Sequence, residues 1–278
     1  MSPFASALAP RLRLALLAGD RGGVRGIGSA SARRSDGYEF AELRGYVEGD
    51  DPRRIDWAAT ARAGALQTRV ILEERALQLA VALDASGSMH VGRKRSCYEL
   101  ARAAARVWFS IATDDDRCAR IGERPLILRD MRGRAAALAC AQSDDARATS
   151  FAPALRLALA TLPRGTRLLV ISDFFELDVL LASLRACASR FILTALVARD
   201  PWYDDLPLGG YVRLRDAESG ATARAFVDER ARERYRGAVA AREVATCEAL
   251  RRIGARVATL DEGDGPERAL ARALGIHA

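Results

Sequence analysis

The sequence predicts an α/β protein: a doubly wound, mostly parallel sheet covered by helices on both faces, with a small β-rich element ahead of it. Three observations carry that expectation. Continuous apolar runs at 79–83 and 168–171 have the length and unbroken hydrophobicity of strands buried on both faces, and the largely apolar segments 191–198 and 255–260 read as further strands. Stretches with helical spacing separate them, and strand–helix alternation builds a parallel sheet. Two of the runs end abruptly in a carboxylate, Asp84 and Asp173, and ligands of open α/β sheets gather at the carboxyl ends of strands.

In chain order, residues 3–18 repeat Leu, Ala and Arg in a helical rhythm interrupted at Pro10, which predicts a short amphipathic helix. Residues 19–37 are rich in Gly, Ser and Arg without apolar periodicity, so 1–37 reads as a helix followed by a flexible arm. Residues 38–76 read as a small β-rich element: alternating residues lead into the turn Gly49-Asp50-Asp51-Pro52, then a helical turn carrying Ile55 and Trp57, then an extended stretch over 67–75.

The remainder, 77–278, predicts the main domain. After the strand at 79–83 comes a helix over 94–113 that starts near Gly92. Asp114, Asp115 and Asp116 fall in the next loop, because acidic residues oppose the dipole at a helix C-terminus. One or two short strands fit 117–128, and helices fit 134–143 and 151–162. Beyond the strand at 168–171 follow a helix over 177–189, a strand over 191–198 and a loop over 200–207. An edge hairpin is expected from 212–214 and 223–227 about Ala217-Glu218-Ser219-Gly220. A long helix over 228–253, a strand over 255–260 and a helix over 266–274 close the chain.

Composition narrows the function. The 278 residues are 50% hydrophobic and 28% charged, enough for one large domain with a smaller appendage. No apolar stretch reaches the roughly 18–20 residues of a membrane span and no signal core is present, which predicts a cytoplasmic protein. Five cysteines without a CxxC pair indicate neither a disulfide framework nor a zinc knuckle, and each reads as a small buried residue. The net charge of +7 comes almost wholly from arginine, with Lys94 the single lysine. Interleaved acids and an aromatic content of 6% favour a solvated surface over nucleic-acid recognition. With only His90 and His277 available, a Ser-His-Asp arrangement has no separated base, and no phosphate-cradling glycine loop follows a strand.

The chemistry-bearing stretch is Asp84-Ala85-Ser86-Gly87-Ser88. Asp84, Ser86 and Ser88 converge if the chain turns sharply, which Gly87 makes inexpensive. Hard oxygens of low total charge suit Mg²⁺ or Mn²⁺ better than zinc. The plain alternative is that Asp84 and Asp173 cap helices.

Asp-x-Ser-x-Ser after a buried strand resembles the metal-ion-dependent adhesion site (MIDAS) of von Willebrand factor A domains, which share a Rossmann-like sheet. That family adds a threonine from a later loop and an aspartate ending a later strand. Thr149 and Asp173 occupy those places here. The resemblance implies a site of Asp84, Ser86, Ser88, Thr149 and Asp173 around Mg²⁺, with Mn²⁺ or Ca²⁺ as substitutes, open to an Asp or Glu carboxylate of a protein partner.

Phe40, Arg44, Tyr46, Gly49, Asp50, Asp51, Arg53, Ile55, Asp56, Trp57, Thr60, Ala61 and Arg62 match the signature of the domain of unknown function 58 (DUF58) family. The chain departs from it at 26–31, where many relatives carry a histidine. The signature reads as structural: Asp50, Asp56, Arg53 and Arg62 are expected to form ion pairs that hold the element against the sheet, with Trp57 packed beneath. The resemblance implies a non-enzymatic adaptor or co-chaperone for a MoxR-type AAA+ ATPase. Two other readings remain open. A Mg²⁺-dependent phosphoesterase lacks a clear base or second metal, and a nucleic-acid binder would depend on the arginines between Arg11 and Arg34.

Overall fold

Leu8, Leu12 and Leu16, spaced four apart, line one side of α1 (Pro3–Ala18) and are buried in the core. The helix runs through Pro10, whose side chain is exposed. The structure is a computed structural model that describes residues 3–18, 38–47, 52–73, 76–122, 126–144, 147–200, 202 and 209–276. It divides into two compact units, Gly23–Ala76 on its own and Met1–Gly22 together with Leu77–Ala278. The first helix therefore belongs to the main domain's core and not to an independent arm. The predicted arm over 19–37, the turn residues Gly49, Asp50 and Asp51, and most of the loop over 200–207 lie outside the described residues.

In the smaller unit, β1 (Tyr38–Gly45) pairs antiparallel with β2 (Gln67–Glu73), with a register shift between Phe40 and Glu42. Between them lies α2 (Trp57–Ala63). Asp56 caps its start by accepting from Ala59 N at 2.9 Å, and Gly64, at φ +67°, ends it in the left-handed region that glycine tolerates. Arg44 falls in β1 and Tyr46 is half-buried, while Arg53 and Arg62 are exposed. Trp57 corrects the expectation of a packed ring. It is the first helical residue after the cap and is 69% exposed, whereas the buried position of this helix is Ala59.

The main unit holds a six-stranded sheet. Its strands are β3 (Gln78–Leu83), β4 (Arg117–Ile121), β5 (Leu126–Arg132), β6 (Arg167–Ser172), β7 (Ile192–Ala198) and β10 (Arg256–Leu260), ordered β10-β7-β6-β3-β4-β5. All neighbours are parallel except β5, which returns antiparallel along β4. Alternation along the central strands builds a core on each face. Leu79, Val81, Leu83, Leu169 and Ile171 face one side with α1, α3 (Cys97–Phe109), α4 (Gly133–Gln142) and α8 (Gly265–Ala273). Ala80, Ala82, Leu168 and Val170 face the other with α5 (Ala152–Thr161), α6 (Leu177–Arg190) and the C-terminal part of α7 (Glu229–Arg252). Each fully buried leucine contributes about 1.5–3 kcal/mol.

Some boundaries and one sheet assignment differ from expectation: the helix expected to reach residue 113 ends at Phe109, and the last of the short strands expected over 117–128 runs to Arg132. The helix expected from Lys94 begins at Cys97, because Ser96 and Glu99 form a reciprocal capping box. The hairpin of β8 (Gly210–Arg215) and β9 (Thr222–Val227) is a separate two-stranded sheet and not an edge of the main one.

Asp116 sits in the loop where it was expected, yet it is fully buried. It accepts from Leu77 N at 2.6 Å, Thr113 N at 2.7 Å and both terminal nitrogens of Arg13. It thereby ties α1, the end of α3 and the entry to β3 together. All five cysteines are buried free thiols. Among the described residues no helix is long and apolar enough to cross a membrane.

Candidate functional site

From β3 the chain crosses to β4 on one side and later to β6 on the other, so the sheet order reverses between β3 and β6. A crevice at the carboxyl ends of strands forms at such a reversal. Asp84 and Asp173 follow those two strands, and the strand ends are joined by Asp84 N donating to Ile171 O at 2.9 Å.

The loop after β3 is shaped by its own side chains. Asp84 Oδ1 accepts from Ser86 N at 2.9 Å, and the chain then enters a helical turn over Ser88–His90, anchored by the fully buried Met89. Ser86 Oγ and Ser88 Oγ come to 3.3 Å from each other. Gly87 takes ordinary right-handed helical angles, φ −56° and ψ −40°, so its role is not the conformational freedom expected of it. Space explains it: a Cβ there would lie 2.2 Å from Ala217 O.

The loop after β6 is the strained one. Phe174 adopts φ +50°, rare for a bulky residue, and is held there by bonds on both sides. Ser172 Oγ accepts from Phe174 N at 2.9 Å, and Asp173 Oδ1 accepts from Phe175 N at 3.0 Å. Ser172 Oγ also donates to Asp84 Oδ2 at 2.6 Å. The second carboxylate oxygen, Asp173 Oδ2, is buried without a hydrogen-bond partner.

The third loop reaches the site through Ala148 N, which donates to Ala85 O at 3.0 Å. Thr149 follows and is exposed, so the backbone places its loop beside the aspartate loop while no hydrogen bond among the described residues ties its side chain to Asp84 or Asp173. His90, expected as a polar loop residue, is half-buried with its ring 4.7 Å from that of Tyr98.

Electrostatically the site is a pair of carboxylates withdrawn from water. Burial pushes the Asp84 carboxyl above its ordinary value of 3.8; hydrogen bonds from Ser172 and Ser86 oppose the shift, and the charge of Asp173 adds to it. Among the described residues no group of three or more His, Cys, Asp or Glu side chains has metal-holding geometry. A cation here would rest on two carboxylates and neighbouring hydroxyls, a donor set of hard oxygens that fits Mg²⁺ or Mn²⁺. The orphaned Asp173 Oδ2 is the position such an ion would satisfy.

Two further residues complete the arrangement. Ser172 is flagged only by being a polar residue that closes an apolar strand. Glu218 has no local signal: its carboxylate arrives from the turn between β8 and β9 and accepts from Gly87 N at 3.0 Å and Ser88 N at 2.7 Å.

Residues 42–245 match the family described as "Protein of unknown function DUF58", a span that includes every residue of the site. Uncharacterized proteins of Mycobacterium bovis and Mycobacterium tuberculosis are 30% identical over 81% of this chain and 74% of their own length. Among solved structures, the conserved hypothetical protein BatB of Bacteroides thetaiotaomicron is similar over 72% of this chain and 97% of its own, at 16% identity and a TM-score of 0.46. An aerotolerance-related membrane protein of Bacteroides fragilis is similar over 72% and 98%, at 14% identity and a TM-score of 0.40. With the family matched across most of its length, this chain belongs to the DUF58 family.

Proposed function

We propose that the chain is a non-enzymatic, metal-dependent protein-binding adaptor with a MIDAS-type site of the von Willebrand factor A kind. The observation that carries this reading is Asp173 Oδ2, buried and unpartnered at the strand ends where Asp84, Ser86 and Ser88 also gather. An unpaired buried carboxylate oxygen costs free energy that a bound cation would recover. Asp84, Ser86, Ser88, Thr149 and Asp173 hold the ion directly or through water. A divalent cation so held supplies an electrophilic position that a partner's Asp or Glu carboxylate can fill.

The chain's own residues do the rest. Ser172 fixes the Asp84 carboxylate in place, Met89 anchors the hydroxyl-bearing turn in the core, and the bonds from Ser172 and Asp173 hold the strained Phe174 turn. The reading extends to a MoxR-type AAA+ ATPase as the partner, which the resemblance of the signature implies.

Isothermal titration of the protein with MgCl₂ and MnCl₂, beside an Asp84→Ala, Asp173→Ala double variant of unchanged circular dichroism, tests the proposal. Saturable binding lost in the double variant is the expected result. Equal heats in both proteins would overturn it.

A further inference from the structure

The turn between β8 and β9 is built to present one side chain. Asp216 Oδ1 accepts from Glu218 N at 3.1 Å, Ser219 N at 2.6 Å and Ser219 Oγ at 2.7 Å, and Asp216 N donates to Ala221 O at 2.8 Å. Gly220 closes the turn at φ +71°. The Glu218 carboxylate so displayed grips the two consecutive amides of Gly87 and Ser88 with both oxygens. The backbone of the turn approaches as closely, with Ala217 O occupying the space where a Cβ on Gly87 would stand.

The rest of the hairpin is thinly attached. Along β8 and β9 only Val227 is buried, and Tyr211 is 90% exposed. An acidic side chain on a lightly anchored hairpin thus covers the turn that carries the Ser86 and Ser88 hydroxyls.

We infer that the hairpin is a detachable lid, with Glu218 an internal carboxylate that competes with an acidic partner residue for the loop of Ser86 and Ser88. The inference rests on the metal-dependent binding proposed above. Its logic is that of linkage: an internal ligand that must leave before an external one docks lowers apparent affinity by the fraction of time it is seated. Gly87 is the residue that lets the lid seat, since any side chain there meets the turn backbone.

Two variants of the full chain test this by different routes. Glu218→Gln removes the competing charge and keeps the shape. Gly87→Ala is compatible with the local backbone and pushes the turn away. Amide hydrogen exchange at Gly87 and Ser88 reads the lid directly, and both amides are expected to exchange faster in both variants. Fluorescence anisotropy of a labelled oligoglutamate peptide in MnCl₂ reads the competition, and its affinity is expected to rise about tenfold in the variants, the scale of one charge-assisted hydrogen bond. Unchanged exchange would overturn the lid. Intact Mn²⁺ binding with unchanged or weaker peptide affinity would overturn the competition alone. Absence of Mn²⁺ binding in wild type and variants alike would overturn the metal reading and the competition with it.

Discussion

Ser172 Oγ donates to Asp84 Oδ2 at 2.6 Å while accepting from Phe174 N at 2.9 Å. One hydroxyl thereby couples the carboxylate that ends β3 to the strained turn that follows β6, and sets the two halves of the candidate site in register.

Ser172→Ala leaves a buried carboxylate oxygen and a buried amide without that partner. It is expected to destabilise the protein by about 1–3 kcal/mol, seen as a lower urea midpoint with an unchanged slope. A midpoint equal to that of wild type would show that the hydroxyl does not couple the loops.

At Asp173 the proposed site sets stability against binding. Its Oδ2 is buried without a hydrogen-bond partner, and its charge adds to the upward push on the Asp84 carboxyl, both of which a cation would relieve. Asp173→Asn should therefore melt higher than wild type in EDTA, by about 1–2 kcal/mol. Wild type alone should gain from added Mg²⁺, by about 2.7 kcal/mol at a hundredfold excess over the dissociation constant. Thermal scans with and without Mg²⁺ distinguish the two, and a variant that melts lower in EDTA would refute the argument.

Asp116 is predicted to matter more for folding than either site aspartate. Asp116→Ala strands the Leu77 and Thr113 amides and leaves Arg13, whose side chain is 14% exposed, without its partner. Breaking a buried pair of this kind costs about 3–5 kcal/mol. Denaturant titration should show that loss with Mg²⁺ present or absent, unlike the effect at Asp173.

The thiols give a pH signature. Burial pushes Cys97 and Cys118 up to about 12, and Cys140 and Cys187 to about 11, from an ordinary value of 9.0. The folded chain keeps its protons where the unfolded chain loses them. The stability due to these groups is therefore complete below pH 9.0 and declines as pH rises from there through the folded values. Native protein at pH 8 should resist alkylation, and all five cysteines should react once urea unfolds it. Rapid labelling of the native chain would contradict this packing.

The strands at 79–83 and 168–171 were legible because burial on both faces leaves an unbroken apolar run. Asp84, Ser86 and Ser88 were legible because their convergence is local. Glu218 was not, since it meets Gly87 across 131 residues and no short-range pattern announces that contact. Asp116 was hidden for the same reason: its run of three acids reads as solvated loop until Arg13, 103 residues away, folds against it. The capping box of Ser96 and Glu99 was written in the sequence, and helical composition upstream of it masked the boundary. Trp57 shows the reverse error, because an aromatic residue invites a buried placement that its position directly after the Asp56 cap does not provide.

The central claim is that the oxygens at the ends of β3 and β6 form one cation site. The most direct measurement is a crystal grown in MnCl₂ with data collected at the manganese absorption edge. An anomalous peak is expected beside Asp173 Oδ2, with Ser86 Oγ and Ser88 Oγ at about 2.0–2.3 Å from it directly or joined to it through water. A crystal saturated with Mn²⁺ that shows no peak between these strand ends would contradict it.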